Sequence, residues 1–431
     1  MDVSVLVLII SFIGLLAINV PIAISIGIST ILTMLFTIAP VPAVTTVAQR
    51  MATGINSFAL LAIPFFILSG QLMGRGGIAR RLIDFAKVLV GMLPGGLAYV
   101  NVLACMFFGA ISGSAVAATS AIGGFMIPIM NREGYDKNFS TAVTVTGSTT
   151  GLLIPPSNVL IVYSLASGGV SIAALFIAGY LPGIILGLGL MAVAALISLV
   201  RKYPVGEKIG ATEAIKKFFN AIPSLSLIVI VIGCIIAGYF TATEASAVAV
   251  LYALLLSAVI YREVKLKELP QILLKTVETT AIVMLLIGTS SAMSWILSYE
   301  NIPQNISASL IALTNSKLLI LMIINFILLI VGTFMDMTPA VLIFTPIFLP
   351  IVVQLGLSPL HFGIILVLNL CIGLCTPPVG SVLFVGCGIG DTNIATMSRT
   401  LIPFYLAMIV VLMLVTHIPW ISLVLPKAFG Y

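Results

Sequence analysis

The sequence predicts an all-α polytopic membrane protein built as an inverted-topology repeat, with two re-entrant hairpins and two broken helices. Composition is the first observation: 61% of residues are hydrophobic and 7% charged, with a mean hydropathy of +1.27, whereas soluble domains carry about 25% charge. The second is a pair of helix-breaking motifs inside apolar segments. Gly151-Leu152-Leu153-Ile154-Pro155-Pro156-Ser157-Asn158 interrupts residues 139–166, and Gly373-Leu374-Cys375-Thr376-Pro377-Pro378 interrupts 362–386. Prolines donate no backbone hydrogen bond and clash with the preceding turn, so neither segment continues as one helix. The third is a gapless internal match. Pro128, Gly134, Gly151, Pro155 and Pro156 recur 222 residues later as Pro350, Gly356, Gly373, Pro377 and Pro378.

Taken in order, residues 3–18 and 22–38 read as two short spans separated by Asn19-Val20-Pro21, and 58–73 as a third. The start, Met1-Asp2-Val3, has no basic n-region, so no removable signal peptide is expected. Residues 75–87 place Arg80, Arg81 and Asp84 beside Ile78, Leu82, Ile83 and Phe85, the pattern of an amphipathic helix lying along the interface. The first hairpin is predicted over 89–130, interrupted by Gly109-Ala110-Ile111-Ser112-Gly113-Ser114, and 131–138 is a polar turn. The first broken helix, a long apolar helix over 172–200 and a basic linker over 201–217 follow. Next come spans over 222–240 and 243–261, a basic linker over 262–275, a span over 279–299 and an uncharged linker. The second hairpin covers 318–353, interrupted at Met335-Asp336-Met337-Thr338, and a final span over 401–425 follows the second broken helix. The repeats are therefore 1–200 and 218–426, joined by a cytoplasmic linker.

Further matches support the repeat. Gly109 meets Gly332 at an offset of 223, and Ile67-Leu68-Ser69 meets Ile296-Leu297-Ser298 at 229. Charge supplies the relative orientation, because cytoplasmic loops collect Lys and Arg. If the interrupted segments are hairpins, 16 of 19 basic residues fall on one face, leaving Arg50, Lys317 and Lys427 on the other. Residues 75–87 hold four basic residues and their counterpart around 304–316 holds none, so the halves point in opposite directions. Reading the interrupted segments as full spans would put basic loops on both faces. On the hairpin reading, both termini are periplasmic.

Paired interruptions in two inverted halves mark the binding site of a secondary transporter. Half-helix N-termini present unpaired N–H groups to an anion, while unwound carbonyls and helix C-termini suit Na⁺. Ion ligands are therefore sought among Ser112, Gly113, Ser114, Gly151, Pro155, Asp336, Thr338, Gly373, Thr376 and Pro377. Substrate contacts are sought at Thr149, Thr150, Ser157, Asn158 and Asn369. The competing role for such hydroxyls is to satisfy broken backbone or join helices. Asp336 stands out, because an ionisable group inside an apolar run is costly to keep without a function; its competing reading is a solvated acid at a hairpin tip. Glu244 instead fits a capping box with Thr241, Asp391 a loop, and His361 and His417 structural positions. Five cysteines lie in apolar segments. Cys371 and Cys375 are spaced i, i+4, but no His or second Cys pair accompanies them, so Na⁺ is the only metal expected.

The segments 151–158 and 373–380, the stretch Gly109-Ala110-Ile111-Ser112-Gly113-Ser114-Ala115-Val116-Ala117, and Tyr239-Phe240-Thr241-Ala242-Thr243-Glu244-Ala245-Ser246-Ala247-Val248 resemble the large membrane subunit of tripartite ATP-independent periplasmic (TRAP) transporters. The resemblance runs over essentially the whole chain. It implies Na⁺-driven uptake of an organic acid, a carboxylate in many members, delivered by a periplasmic binding protein. It also implies a small four-helix membrane partner, for which this chain has no room, and a bacterial inner-membrane location. The implied fold is of the elevator type: a scaffold and a moving domain, taken as 89–166 plus 318–400. Its ion sites map onto Ser112–Ser114 with 151–158, and onto 336–338 with 369–377. The second hairpin tip, Phe334-Met335-Asp336-Met337, is poorer in Gly and Ser than the family pattern. The sialic acid branch is favoured within the family, with C4-dicarboxylates next, although no motif decides between them.

Other classes fit less well. A self-sufficient dicarboxylate carrier shares the pseudo-symmetric plan and differs in needing no binding protein. An intramembrane serine hydrolase using Ser112 or Ser114 needs a base within hydrogen-bond reach. The only histidines are His361 and His417, on distant segments, so no catalytic residue and no cofactor are expected. No Gly-x-x-x-x-Gly-Lys-Ser/Thr loop supports an ATP-driven pump, and a channel has no need of paired closed hairpins.

Overall fold

Proline, glycine and small polar caps divide the apolar chain into twenty α-helices in the computed structural model, which describes residues 3–206, 210–314, 316–377 and 379–431. Lys208 and Pro378, parts of the basic stretch and of the second Pro-Pro pair, lie outside the described residues, as do Met1 and Asp2. The first half contains α1 (Val3–Ala17), α2 (Ile22–Thr37), α3 (Pro40–Ile55), α4 (Ala62–Arg75), α5 (Ile78–Val90), α6 (Gly96–Ser112), α7 (Ala115–Arg132), α8 (Lys137–Thr149), α9 (Asn158–Ala166) and α10 (Ile172–Arg201). The second contains α11 (Ala211–Ile236), α12 (Ala242–Leu254), α13 (Leu269–Tyr299), α14 (Ile302–Leu313), α15 (Lys317–Phe334), α16 (Met337–Gln354), α17 (Pro359–Leu374), α18 (Ser381–Gly390), α19 (Ile394–His417) and α20 (Trp420–Ala428). Among the described residues, eight helical runs are long and apolar enough to cross a membrane. No strand occurs among the described residues; Pro94 and Val205 form an isolated bridge.

Local chemistry sets the helix ends. Gly113 adopts φ 61° and closes α6, a left-handed turn that glycine enters without steric cost. The Ser114 hydroxyl then accepts from Ala117 N at 3.3 Å, opening α7. Asp136 opens α8 in the same way, accepting from Phe139 N at 2.9 Å. Thr241 and Glu244 form the expected capping box on α12, with Thr241 N donating to Glu244 Oε2 at 2.8 Å. Beyond α8 a 3-10 turn, Thr150–Leu152, leads into the Pro155-Pro156 break, and α9 restarts at Asn158.

The repeat seen in the sequence reappears as packing. Where α6 crosses the first break, a Cβ built on Gly109 would lie 2.6 Å from Gly151 Cα. Where α15 crosses α17, a Cβ built on Gly332 would lie 3.0 Å from Gly373 Cα. Both halves thus bring backbone against backbone at corresponding glycines, the close approach that small residues permit between membrane helices. The halves also exchange contacts: α18 packs on α7 as α9 packs on α16, and α12 packs on α4 as α2 packs on α13. Buried amides join each hairpin to its broken helix. Asn101 Nδ2 donates to Thr144 Oγ1 at 2.7 Å, and Asn369 Nδ2 to Asn325 Oδ1 at 2.9 Å. Each such bond contributes about 0.6–2 kcal/mol in a membrane interior.

Several boundaries differ from the sequence expectation, each for a local reason. The first interruption narrows to Gly113-Ser114, because Gly109–Ser112 keep helical hydrogen bonds. Residues 40–55, read as no element, form α3, started by Pro40 at its first turn. The linker after α13 is neither uncharged nor structureless: Glu300 accepts from Ser4 Oγ at 2.8 Å, and α14 follows. The linkers 201–217 and 262–275 are shorter than expected, since α11 begins at Ala211 and α13 at Leu269. The final span ends at His417, and Pro419 separates it from α20. The apolar face of α5 packs on α6 and α11, so that Ile78, Leu82 and Ile83 are buried in protein.

Opposite orientation of the halves carries a direct prediction. Arg80 on α5 and Ala308 on α14 are exposed, whereas Ala79 is only 2% exposed. Cysteines placed at Arg80 and Ala308 are expected to react with impermeant thiol reagents from opposite faces of sealed vesicles. Labelling of both from one face would contradict the inverted repeat.

Candidate ion and substrate site

Both hairpin tips open into one cavity of about 590 Å³, within the size range of small-molecule sites. Its wall contains Ser112, Gly113 and Ser114 from the first tip, Asp336, Met337 and Thr338 from the second, and Leu152, Asn158 and Leu374 from the broken helices. Helix α4 contributes Ile63, Gln71 and Gly74, and α13 contributes Lys275, Thr279 and Val283. By length alone α15 and α16 each resemble a span. Their connecting turn, however, lines the same internal space as Ser112–Ser114, as a re-entrant hairpin requires.

The arrangement presents both kinds of helix end. The N-termini of α7, α9 and α16 reach the cavity at Ala115, Asn158 and Met337, where unpaired N–H groups favour an anion. The C-terminal ends of α6 and α17 reach it at Ser112 and Leu374, where free carbonyls favour a cation. Asn158 is packed against Gly113, and its Oδ1 is buried without a hydrogen-bond partner among the described residues. Asp336 occupies the N-cap position of α16, matching Ser114 on α7 at the repeat offset, but makes no side-chain cap. Its Oδ1 accepts from Ser381 Oγ at 3.4 Å, a long contact that leaves the carboxylate open to the cavity.

The remaining predicted residues are placed elsewhere. Thr149, Thr150 and Ser157 are fully buried, and their hydroxyls donate to Thr146, Gly147 and Leu152 carbonyls at 2.8, 2.6 and 2.6 Å. They satisfy backbone loosened by the break. Asn369 is fully buried and tied to Asn325. Thr376 donates to Ile372 O at 2.7 Å. Gly151 and Gly373 form the helix crossings, and Pro155 and Pro377 the breaks themselves, with Pro155 buried. None of these nine lines the cavity. Conversely, Gln71, Ser120, Lys275 and Thr279 line it without having been singled out. For α13 a signal existed: Lys275, Thr279 and Val283 share one face at i, i+4, i+8.

The cavity is not symmetric. It runs down the returning helix of the first hairpin as far as Ser120 and Ala121, but takes only the tip of the second. Its lining takes in the end of α4 and the start of α13, beside Arg75, whose Nη1 donates to Gln271 Oε1 at 3.0 Å. It therefore extends toward the face that carries most of the basic loops. Other polar groups are structural. His361 Nδ1 lies 2.6 Å from Ser422 Oγ, and Cys371 and Cys375 turn toward the Thr149 and Val145 carbonyls at 3.4 and 3.5 Å.

The family model described as "Tripartite ATP-independent periplasmic transporter, DctM component" matches residues 9–421. The chain belongs to this family. A Salmonella typhimurium protein, YgiK, is 53% identical over 99% of this chain and 98% of its own length. The C4-dicarboxylate TRAP transporter large permease DctM of Pseudomonas aeruginosa is 41% identical, covering 94% of each chain. The sialic acid TRAP transporter large permease SiaM of Vibrio cholerae is 39% identical over 89% of this chain and 90% of its own. The crystal structure of the Alcanivorax borkumensis YdaH transporter, described as having an unusual topology, superposes with a TM-score of 0.63. It covers 91% of this chain and 90% of that one at 13% identity, a likeness of fold. This TRAP large permease is thus a multi-pass transport protein, not an enzyme, and neither histidine lines its cavity.

Proposed function

We propose that this permease couples Na⁺ entry to import of an anionic organic acid across the bacterial inner membrane. The acid is received from a periplasmic binding protein, and a small four-helix membrane subunit completes the permease. The observation that carries the reading is the meeting of both hairpin tips, Ser112–Ser114 and Asp336–Thr338, in one cavity with three helix N-termini. Open carbonyl ends and the Asp336 carboxylate suit a hard cation, and the N-termini suit a carboxylate. Two relatives carry a C4-dicarboxylate and a sialic acid in their names at nearly equal identity. That supports a carboxylate and leaves both classes as candidates. With the basic loops cytoplasmic, the cavity opens inward and both termini are periplasmic.

An elevator motion is supported by the division of packing. Helix α10 packs on α19 and α20 and also on α6, α8 and α17, α19 packs on α8 and α17, and α20 on α17, while α10 barely touches α11. On this reading the moving unit is 89–166 plus 318–400 together with these three helices. Helices α2, α3, α4, α12 and α13 form the scaffold.

The test is uptake into proteoliposomes holding the permease and its small subunit, with loaded binding protein outside. Uptake is expected to collapse when Na⁺ is replaced by K⁺, and again when the binding protein is omitted. Indifference to Na⁺ would remove the coupling, and indifference to the binding protein would favour a self-sufficient carrier.

A further inference from the structure

We propose that Lys275 is the cation that receives the substrate's carboxylate on the inward-open side of the cavity, an inference that rests on the anionic-substrate reading above. Among the described residues, two charged side chains line the cavity, Asp336 and Lys275. They belong to different parts of the fold. Asp336 sits on the second hairpin, whereas Lys275 sits on α13, which packs on α2, α3 and α4 and touches the hairpin through α16. Lys275 projects from the same face as Thr279 and Val283, and Thr279 Oγ1 turns back to the Lys275 carbonyl at 2.9 Å.

Some other basic residues of this face have partners, while Arg80, Lys87, Arg132 and Arg262, like Lys275, form no ion pair among the described residues; what sets Lys275 apart is that it lines the cavity. Arg75 bonds Gln271, and Arg81 pairs with Glu263 at 2.9 Å and lies 3.6 Å over the Tyr261 ring. Lys137, Arg201 and Lys217 pair with Asp391, Asp136 and Glu213. Lys275 forms no ion pair among the described residues, and it faces the cavity. Charge balance points the same way. A Na⁺ held at Asp336 cancels that carboxylate and leaves one positive charge, on Lys275, which a single substrate carboxylate neutralises. An ammonium on a flexible four-carbon stem binds as a point charge and lets go readily, which suits a release step.

Because Lys275 belongs to the scaffold, its distance from Asp336 changes as the hairpins move. It acts on the anion in the inward-open state and drops out of reach as the site turns outward. The expected signature is sided: affinity measured from inside depends on Lys275, and Na⁺ affinity does not.

The experiment uses the permease with its small subunit in proteoliposomes with its loaded binding protein outside, and whichever of succinate, N-acetylneuraminate and 2-oxoglutarate the wild type accumulates. The half-saturating internal acid concentration is read from Na⁺-dependent efflux for wild type, K275Q, K275M and K275R. K275Q and K275M are expected to raise it by about tenfold, the loss of one charged contact, with K275R restoring most of it. Na⁺ half-activation and the melting temperature stay at wild-type values, since the side chain has no partner to lose. An unchanged internal half-saturation in K275Q and K275M overturns the proposal, as does an equal shift in Na⁺ half-activation, which would mark a general field effect. Wild type that, with its loaded binding protein, accumulates an uncharged solute and no organic acid under a Na⁺ gradient defeats the anionic-substrate reading itself. That failure is read without any variant.

Discussion

Gly151→Val and Gly373→Val are each expected to leave little or no folded permease. A Cβ at Gly151 would fall 2.2 Å from Gly109 Cα, and one at Gly373 would fall 2.4 Å from Gly332 Cα. These obstacles are backbone, which cannot swing aside as a long side chain does. Ordinary overpacking costs about 1–3 kcal/mol; separating two helices at their crossing adds lost contacts along the whole interface. Valine is a better helix former than glycine by a few tenths of a kcal/mol, so propensity alone would predict slight stabilisation. Steric contact decides the sign. Gly124→Val is the control, because nothing lies within 4 Å of a Cβ built there. Fluorescence-detected gel filtration checks all three: monodisperse Gly151→Val or Gly373→Val protein at wild-type yield would show that the crossings are looser than described.

Asp336→Asn is expected to reduce Na⁺-driven uptake by about a hundredfold while the protein folds normally, the magnitude of one strong charged ligand. The substitution keeps shape and removes charge. Little stability is lost, because the contact to Ser381 is long, at 3.4 Å, and no helix cap depends on the carboxylate. An uncompensated charge inside a membrane protein is itself unfavourable, so the melting temperature should hold or rise. Uptake and melting are measured on the same preparation. Near-wild-type uptake with unaltered Na⁺ dependence would reduce Asp336 to a solvated residue at a turn.

Much of the fold was legible because membrane solvent punishes irregularity. Backbone breaks at depth must be satisfied internally, so Pro155-Pro156 and Pro377 could be read as deliberate features, and their common offset as a repeat. The close approach of Gly109 to Gly151 and of Gly332 to Gly373 explains why those glycines matched. Less legible were α3 and α14, which are short and partly polar and fell below a search for long apolar runs. Helix α20 was merged with α19 because Pro419 interrupts a continuous apolar stretch.

The site was legible only in part, and hydroxyl residues show why. Ser112, Ser114, Thr149, Thr150 and Ser157 all lie near breaks, yet only the first two open onto the cavity. A broken helix creates unpaired carbonyls, and nearby hydroxyls serve those first, as Ser157 does for Leu152. Nothing in a linear sequence separates a hydroxyl that repairs backbone from one that faces a ligand. Lys275 was missed for a related reason: it sits in a basic run that reads as a cytoplasmic loop, yet α13 carries it to the cavity wall.

By itself the sequence determined the membrane setting, the two-fold repeat, the opposed halves and the positions of the breaks, because hydropathy, loop charge and proline act locally along the chain. Only the tertiary structure decided which polar groups share the cavity, that it extends toward the basic face, and which helices pack with the hairpins. Those outcomes depend on segments some 200 residues apart sharing one space, as Gly113-Ser114 and Asp336 do, and no local pattern encodes which face of a helix a distant segment will cover.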